Sequence, residues 1–131
     1  MEEKKYKILI VDDDKFLLNM YSVKFGKNGF DVVTAENGED AIARIKEGLS
    51  PDVVLLDIIM PGLDGVGVLE RVRKEKLAPN AAFIMLTNQG GEEDIYNVKR
   101  FNIDGYIIKA TTMPSEVIDE VLRLTKAHHK S

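Results

Sequence analysis

The chain has 131 residues, 44% of them hydrophobic and 31% charged, with a formal net charge of −4, as expected of one globular domain of common size. It contains no cysteine, which excludes a disulfide framework, a thiolate metal site and a thiol nucleophile, and fits a cytoplasmic location. The acidic balance offers nucleic acid no basic face, and no apolar run is long enough for a signal peptide or a membrane span, so neither nucleic acid nor membrane is an expected partner.

Along the chain, short apolar runs alternate with segments of helical period. The runs are Ile8-Leu9-Ile10-Val11, Val32-Val33, Val53-Val54-Leu55-Leu56, Phe83-Ile84-Met85-Leu86 and Tyr106-Ile107-Ile108. Most are bulky or β-branched and do not alternate with polar residues, the pattern of strands covered on both faces. After the first run, Leu17, Met20, Tyr21 and Lys24 are expected to share a helical stripe. Ala41, Ile42 and Ile45 make a second, opened by Asn37 as N-cap before Glu39 and Asp40. Leu69 with Val72 and Ile95 with Val98 suggest two more, and Val117, Ile118, Val121 and Leu122 the last. His128 and His129 fall in a polar tail that reads as a frayed terminus. Five β-α pairs in order imply an α/β fold, a parallel sheet with right-handed crossovers and helices on both faces. A single domain over residues 1–131 is expected, with its core at about 5–125.

In an open α/β sheet, ligands gather beyond the carboxyl ends of the strands. Asp12-Asp13-Asp14 follow the first run, Asp57 the third, Thr87-Asn88 the fourth and Lys109 the fifth. Carboxylates brought together repel unless a cation intervenes. Oxygen ligands suit a hard ion such as Mg²⁺ or Mn²⁺, which also neutralises charge on a transferred phosphoryl group. A carboxylate can attack phosphorus to give an acyl phosphate, and a lysine and a hydroxyl can bind the phosphoryl oxygens. Each residue has a plainer reading. The aspartate triplet can be a helix cap with Asp14 as N-cap, Thr87 a strand-end hydroxyl and Lys109 a solvated strand end. Asp57 is harder to dismiss, because it lies between Val53–Leu56 and Ile58-Ile59-Met60, where an unpaired charge is costly.

At these residues the sequence resembles the receiver domain of two-component response regulators. The resemblance rests on Ile8–Asp14, on Leu55-Leu56-Asp57-Ile58-Ile59-Met60-Pro61-Gly62-Leu63-Asp64-Gly65, on Leu86-Thr87 and on Tyr106–Lys109. It implies a flavodoxin-like strand order of 2-1-3-4-5 and a phosphoacceptor signalling role rather than an enzyme's. Asp57 would be the phosphoacceptor. Asp13 would ligate the metal directly, Asp12 largely through water, and the Ile59 backbone carbonyl would complete the set with Asp57. Thr87 and Lys109 would contact the phosphoryl group, and Thr87 with Tyr106 would form the switch. Ile59 and Gln89 would set the dephosphorylation rate; Ile59 cannot orient a water, so a long-lived acyl phosphate is expected.

The implied donor is a histidine kinase or histidine phosphotransfer protein. The output is a downstream protein partner or a homodimer formed on phosphorylation, through helix 4, strand 5 and helix 5, with Tyr96 and Phe101 as candidate contacts. Two residues depart from the family. Ala110 replaces the proline that usually follows the lysine in a cis peptide, in a loop about one residue longer, which leaves a cis bond or a rebuilt trans loop open. Asn88 replaces a small residue. A phosphorylation-independent binding module and a haloacid-dehalogenase-type phosphatase are the alternatives; the latter is disfavoured by Phe16 two places after Asp14.

Overall fold

The computed structural model describes residues 5–88 and 92–130. Five strands, β1 (Lys7–Val11), β2 (Asp31–Ala35), β3 (Val53–Leu56), β4 (Ala82–Thr87) and β5 (Gly105–Ile108), alternate with five helices, α1 (Lys15–Lys27), α2 (Gly38–Lys46), α3 (Gly65–Glu75), α4 (Glu92–Lys99) and α5 (Pro114–His129). The strands pair in parallel in the order β2-β1-β3-β4-β5, as expected.

The near-continuous apolar runs are explained by two cores, one on each face of the sheet. Successive strand residues point to opposite faces. Leu9, Val11, Val54, Leu56, Phe83 and Met85 therefore meet α2, α3 and α4 through Ala41, Ile42, Ile45, Val68, Leu69, Val72 and Val98. Ile8, Ile10, Val53, Leu55, Ile84 and Leu86 meet α1 and α5 through Leu18, Tyr21, Phe25, Val117, Ile118 and Val121. The α1 stripe differs from the expected one. Leu18, Tyr21 and Phe25 are buried, Leu17 and Met20 pack only at its margin, and Lys24 is exposed. Two doublets, Leu17-Leu18 and Met20-Tyr21, permit two stripes one residue apart, and Phe25 settles the phase by packing edge-on against Phe30, with ring centroids 5.0 Å apart.

The helices open where capping chemistry directs. Asp14 Oδ1 accepts the N–H groups of Phe16 and Leu17 at 3.0 and 3.1 Å, Asn37 Oδ1 that of Asp40 at 2.7 Å, and Asp64 Oδ1 that of Gly67 at 2.8 Å. At the opposite end of the sheet, Asp52 accepts the Lys7 N–H at 2.8 Å and Asp104 that of Phe83 at 2.9 Å. The expected frayed tail is instead the last turn of α5. His128 Nδ1 meets Asp104 Oδ1 at 2.6 Å and its Nε2 meets the Asn80 carbonyl at 3.1 Å. His129 Nε2 meets the Asp52 carbonyl at 2.8 Å, its ring stacked on Tyr6.

Candidate functional site

Strand register brings the acidic residues together. Val11 of β1 lies opposite Leu56 of β3, so Asp12 and Asp57 leave the sheet side by side; the Asp57 N–H donates to the Val11 carbonyl at 3.1 Å. Thr87 closes β4 opposite Ile108 of β5, which places Lys109 at the next position. Asp12, Asp13, Asp57, Thr87 and Lys109 line one cleft of about 310 Å³, with Asp14, Ile59 and Asn88 at its edges. Four strand ends thus converge as the sequence implies.

Lys109 ties the acids together. Its Nζ donates to Asp12 Oδ2 at 2.6 Å and to Asp57 Oδ2 at 3.3 Å. Asp12 and Asp57 are 2% and 7% exposed, so the ammonium compensates charges that burial would otherwise make costly. The remaining oxygens are also used: Asp12 Oδ1 accepts the Asp14 N–H at 2.9 Å, and Asp57 Oδ1 accepts a longer bond from the Ile59 N–H at 3.4 Å.

Burial raises the Asp57 pKa from 3.8 to about 6; Lys109 opposes this and the Asp12 charge adds to it. For Lys109, burial disfavours the ammonium, but its bond to Asp12 and the charges of Asp57 and Asp12 prevail and hold its pKa above the ordinary value. One oxygen each from Asp12, Asp13 and Asp57 lies within 4.8 Å of the others, an all-oxygen set that could hold a hard divalent cation. Asp13 is exposed and so leaves one side of that set open to water.

The peptide bond before Ala110 is trans, and no cis bond occurs among the described residues. The chain instead forms a short 3₁₀ turn over Lys109–Thr111. The rebuilt loop retains the reach of the lysine. Asn88 is exposed at the cleft's edge. Thr87 is 1% exposed, and the Tyr106 ring packs inward against the α2–α4 core with its hydroxyl oxygen buried. Ile59 projects its side chain into solvent, and Gln89 lies outside the described residues. Tyr96 is exposed, whereas Phe101 packs partly into the core.

Two residues named in the sequence were given no role at the site. Tyr21 is buried within electrostatic reach of the site; burial raises its phenol pKa, the Lys109 ammonium opposing and the Asp12 carboxylate adding to the effect. A side chain on a core stripe gives no hint of this. Gly65 donates its N–H to the Ile58 carbonyl at 2.8 Å, and a Cβ on it would lie 2.4 Å from the Asp57 carbonyl oxygen. Only glycine lets α3 start this close to the acceptor strand.

Comparison with known proteins agrees with this geometry. Residues 8–121 match the family model for the response regulator receiver domain. The chain is 35% identical over 120 residues to the transcriptional regulatory protein ResD of Bacillus subtilis (strain 168), covering 92% of this chain and 48% of that protein. It is 34% identical over 111 residues to the alkaline phosphatase synthesis transcriptional regulatory protein PhoP of the same organism, covering 85% and 45%. The chain thus spans about half the length of these curated relatives. Among solved structures, a CheY-like receiver domain protein of Methanospirillum hungatei JF-1 superposes with a TM-score of 0.87 at 26% identity, covering 97% of this chain and 98% of that one. The receiver domain of the Francisella response regulator 1452 gives 0.80 at 32% identity, covering 94% and 98%. The phosphatase alternative loses its ground, and the chain belongs to the family of response regulator receiver domains.

Proposed function

We propose that Asp57 is the phosphoacceptor of this receiver, charged by a histidine kinase or histidine phosphotransfer protein. The observation that carries this reading is the Lys109 ammonium bonded to both Asp12 and Asp57 in the lining of an acidic cleft. An Asp57 carboxylate oxygen attacks phosphorus, the P–N bond to the donor imidazole breaks with its electron pair going to nitrogen, and the imidazole leaves neutral after taking a proton from solvent. Lys109 then pairs with a phosphoryl oxygen, and the Thr87 hydroxyl can donate to another. Asp12, Asp13, Asp57 and the Ile59 carbonyl would hold Mg²⁺ or Mn²⁺, which supplies neutralisation of phosphoryl charge. With Ile59 unable to orient a water, and Gln89 the second tuning position, the acyl phosphate is expected to persist.

Thr87 and Tyr106 would couple the phosphoryl group to the surface of α4, β5 and α5. A groove of about 570 Å³ runs there, lined by Tyr106, Ile108, Thr112, Glu116 and Arg123 among others, and Tyr96 stands exposed on α4. Output through this face would be a downstream protein or a homodimer, with the receiver acting in the cytoplasm. No helix among the described residues is long and apolar enough to cross a membrane.

The test is incubation with phosphoramidate or acetyl phosphate plus Mg²⁺, read by intact mass. Wild type should gain one phosphoryl group and Asp57→Asn none. No gain in wild type, or an equal gain in both, refutes the assignment and leaves a phosphorylation-independent binding module.

A further inference from the structure

The last turn of α5 carries chemistry that phosphoryl transfer does not use. His128 has an acceptor at each ring nitrogen, Asp104 Oδ1 at 2.6 Å and the Asn80 carbonyl at 3.1 Å. A neutral imidazole has one N–H and one lone pair, so it can satisfy only one of these; the imidazolium satisfies both. The other Asp104 oxygen already accepts the Phe83 N–H at 2.9 Å, so the carboxylate bridges the start of β4 and the end of α5. An imidazolium also suits a helix C-terminus, where the last carbonyls carry partial negative charge. His129 provides the contrast. Among the described residues its Nε2 has a single acceptor, the Asp52 carbonyl at 2.8 Å, which a neutral tautomer satisfies.

We infer that His128 is a proton-dependent latch that fixes the C-terminal turn of α5 to the base of β4 and β5. The groups facing it are the Asp104 carboxylate from the segment before β5, the Asn80 carbonyl from the segment before β4, and the His129 ring beside it on α5, with centroids 4.9 Å apart. Arg73 of α3 points instead to the carbonyls of Phe101 and Asn102. Protonation closes the latch with two bonds. Loss of the proton leaves a lone pair facing an oxygen and releases one of the two contacts. Asp104 immediately precedes β5, and α5 lines the groove beside Tyr106. The latch therefore makes the rigidity of the C-terminal turn of α5 depend on whether His128 carries one proton or two.

The test is amide hydrogen exchange of residues 125–129 at about pH 6 and about pH 8, corrected for intrinsic exchange, on the whole chain. Wild type should lose protection by about three- to tenfold at the higher pH. His128→Gln should abolish that dependence and His129→Gln should retain it. As a readout that needs no variant, the ring ¹⁵N shifts of His128 in wild type should report protons on both nitrogens under the condition of higher protection and on one nitrogen under the condition of lower protection. Equal wild-type protection at both pH values, persistence of the dependence in His128→Gln, its loss in His129→Gln, or a His128 ring whose protonation does not change with protection refutes the latch.

Discussion

Replacing Asp57 with asparagine should stabilise the protein, although it destroys the proposed phosphoacceptor. The carboxylate is held in a site that raises its pKa from 3.8 to about 6, with burial the largest cause. At about 1.4 kcal/mol for each tenfold change in proton affinity, this sets ~3 kcal/mol as a ceiling on the cost of keeping the group charged at neutral pH. Water reaches the site through the open cleft and screens the charge, so about 1–2 kcal/mol is the expected gain. For a domain of this size that is roughly 5 °C in Tm.

The sign follows from the raised pKa. The folded state binds the Asp57 proton more tightly than the unfolded chain. Its favourable contribution is full below about pH 3.8 and is lost as pH rises through about 6. The advantage of Asp57→Asn should therefore be largest at pH 7–8 and shrink towards zero near pH 4, where wild type is also neutral at this position. Thermal or urea denaturation of both proteins across that range, without divalent cation, measures it. An Asp57→Asn variant no more stable than wild type at pH 8, or equally advantaged at pH 4, would falsify the account of the site's electrostatics.

Mg²⁺ should compete with the Asp57 proton, so its affinity by calorimetric titration should fall steeply, up to about tenfold per pH unit, below about pH 6; an affinity flat between pH 5 and 8 contradicts this. Lys109→Ala leaves the charges of Asp12 and Asp57 uncompensated, and should cost about 3–5 kcal/mol in chemical denaturation, partly restored by Mg²⁺. Gly65→Ala should destabilise by about 1–3 kcal/mol, because the new Cβ meets backbone at 2.4 Å, and should also slow phosphorylation by displacing Asp57. The acyl phosphate should last for roughly minutes or longer in Mg²⁺ at room temperature, and Ile59→Asn should shorten it; hydrolysis within seconds in the wild type, followed by phosphate release, contradicts the role given to Ile59.

The fold was legible because both faces of the sheet are covered. Runs such as Val53–Leu56 and Phe83–Leu86 admit no polar residue, and where the cover ends, the first polar residues mark the site. Asp57 could be found this way because a charge between Leu56 and Ile58 needs a compensating partner. Three features were not legible, each for a different reason. The phase of α1 was ambiguous because its apolar residues come in adjacent pairs. The reach of Lys109 without the usual proline depends on a 3₁₀ turn that no local signal in Ala110-Thr111-Thr112 announces. The docking of His128 requires Asn80 and Asp104, 48 and 24 residues away in sequence, and only the folded topology brings them to the end of α5.

The sheet also works as a partition. Its α1–α5 side and its α2–α4 side are separate apolar layers, and the strands between them are the shared wall. Repacking one layer, for instance around Phe25 and Val117, should leave side chains of the other undisturbed, so that changes made on opposite sides add rather than interact. Such a plan lets the helices facing one set of partners diversify while the wall, and the strand tips that project from it, keep their positions.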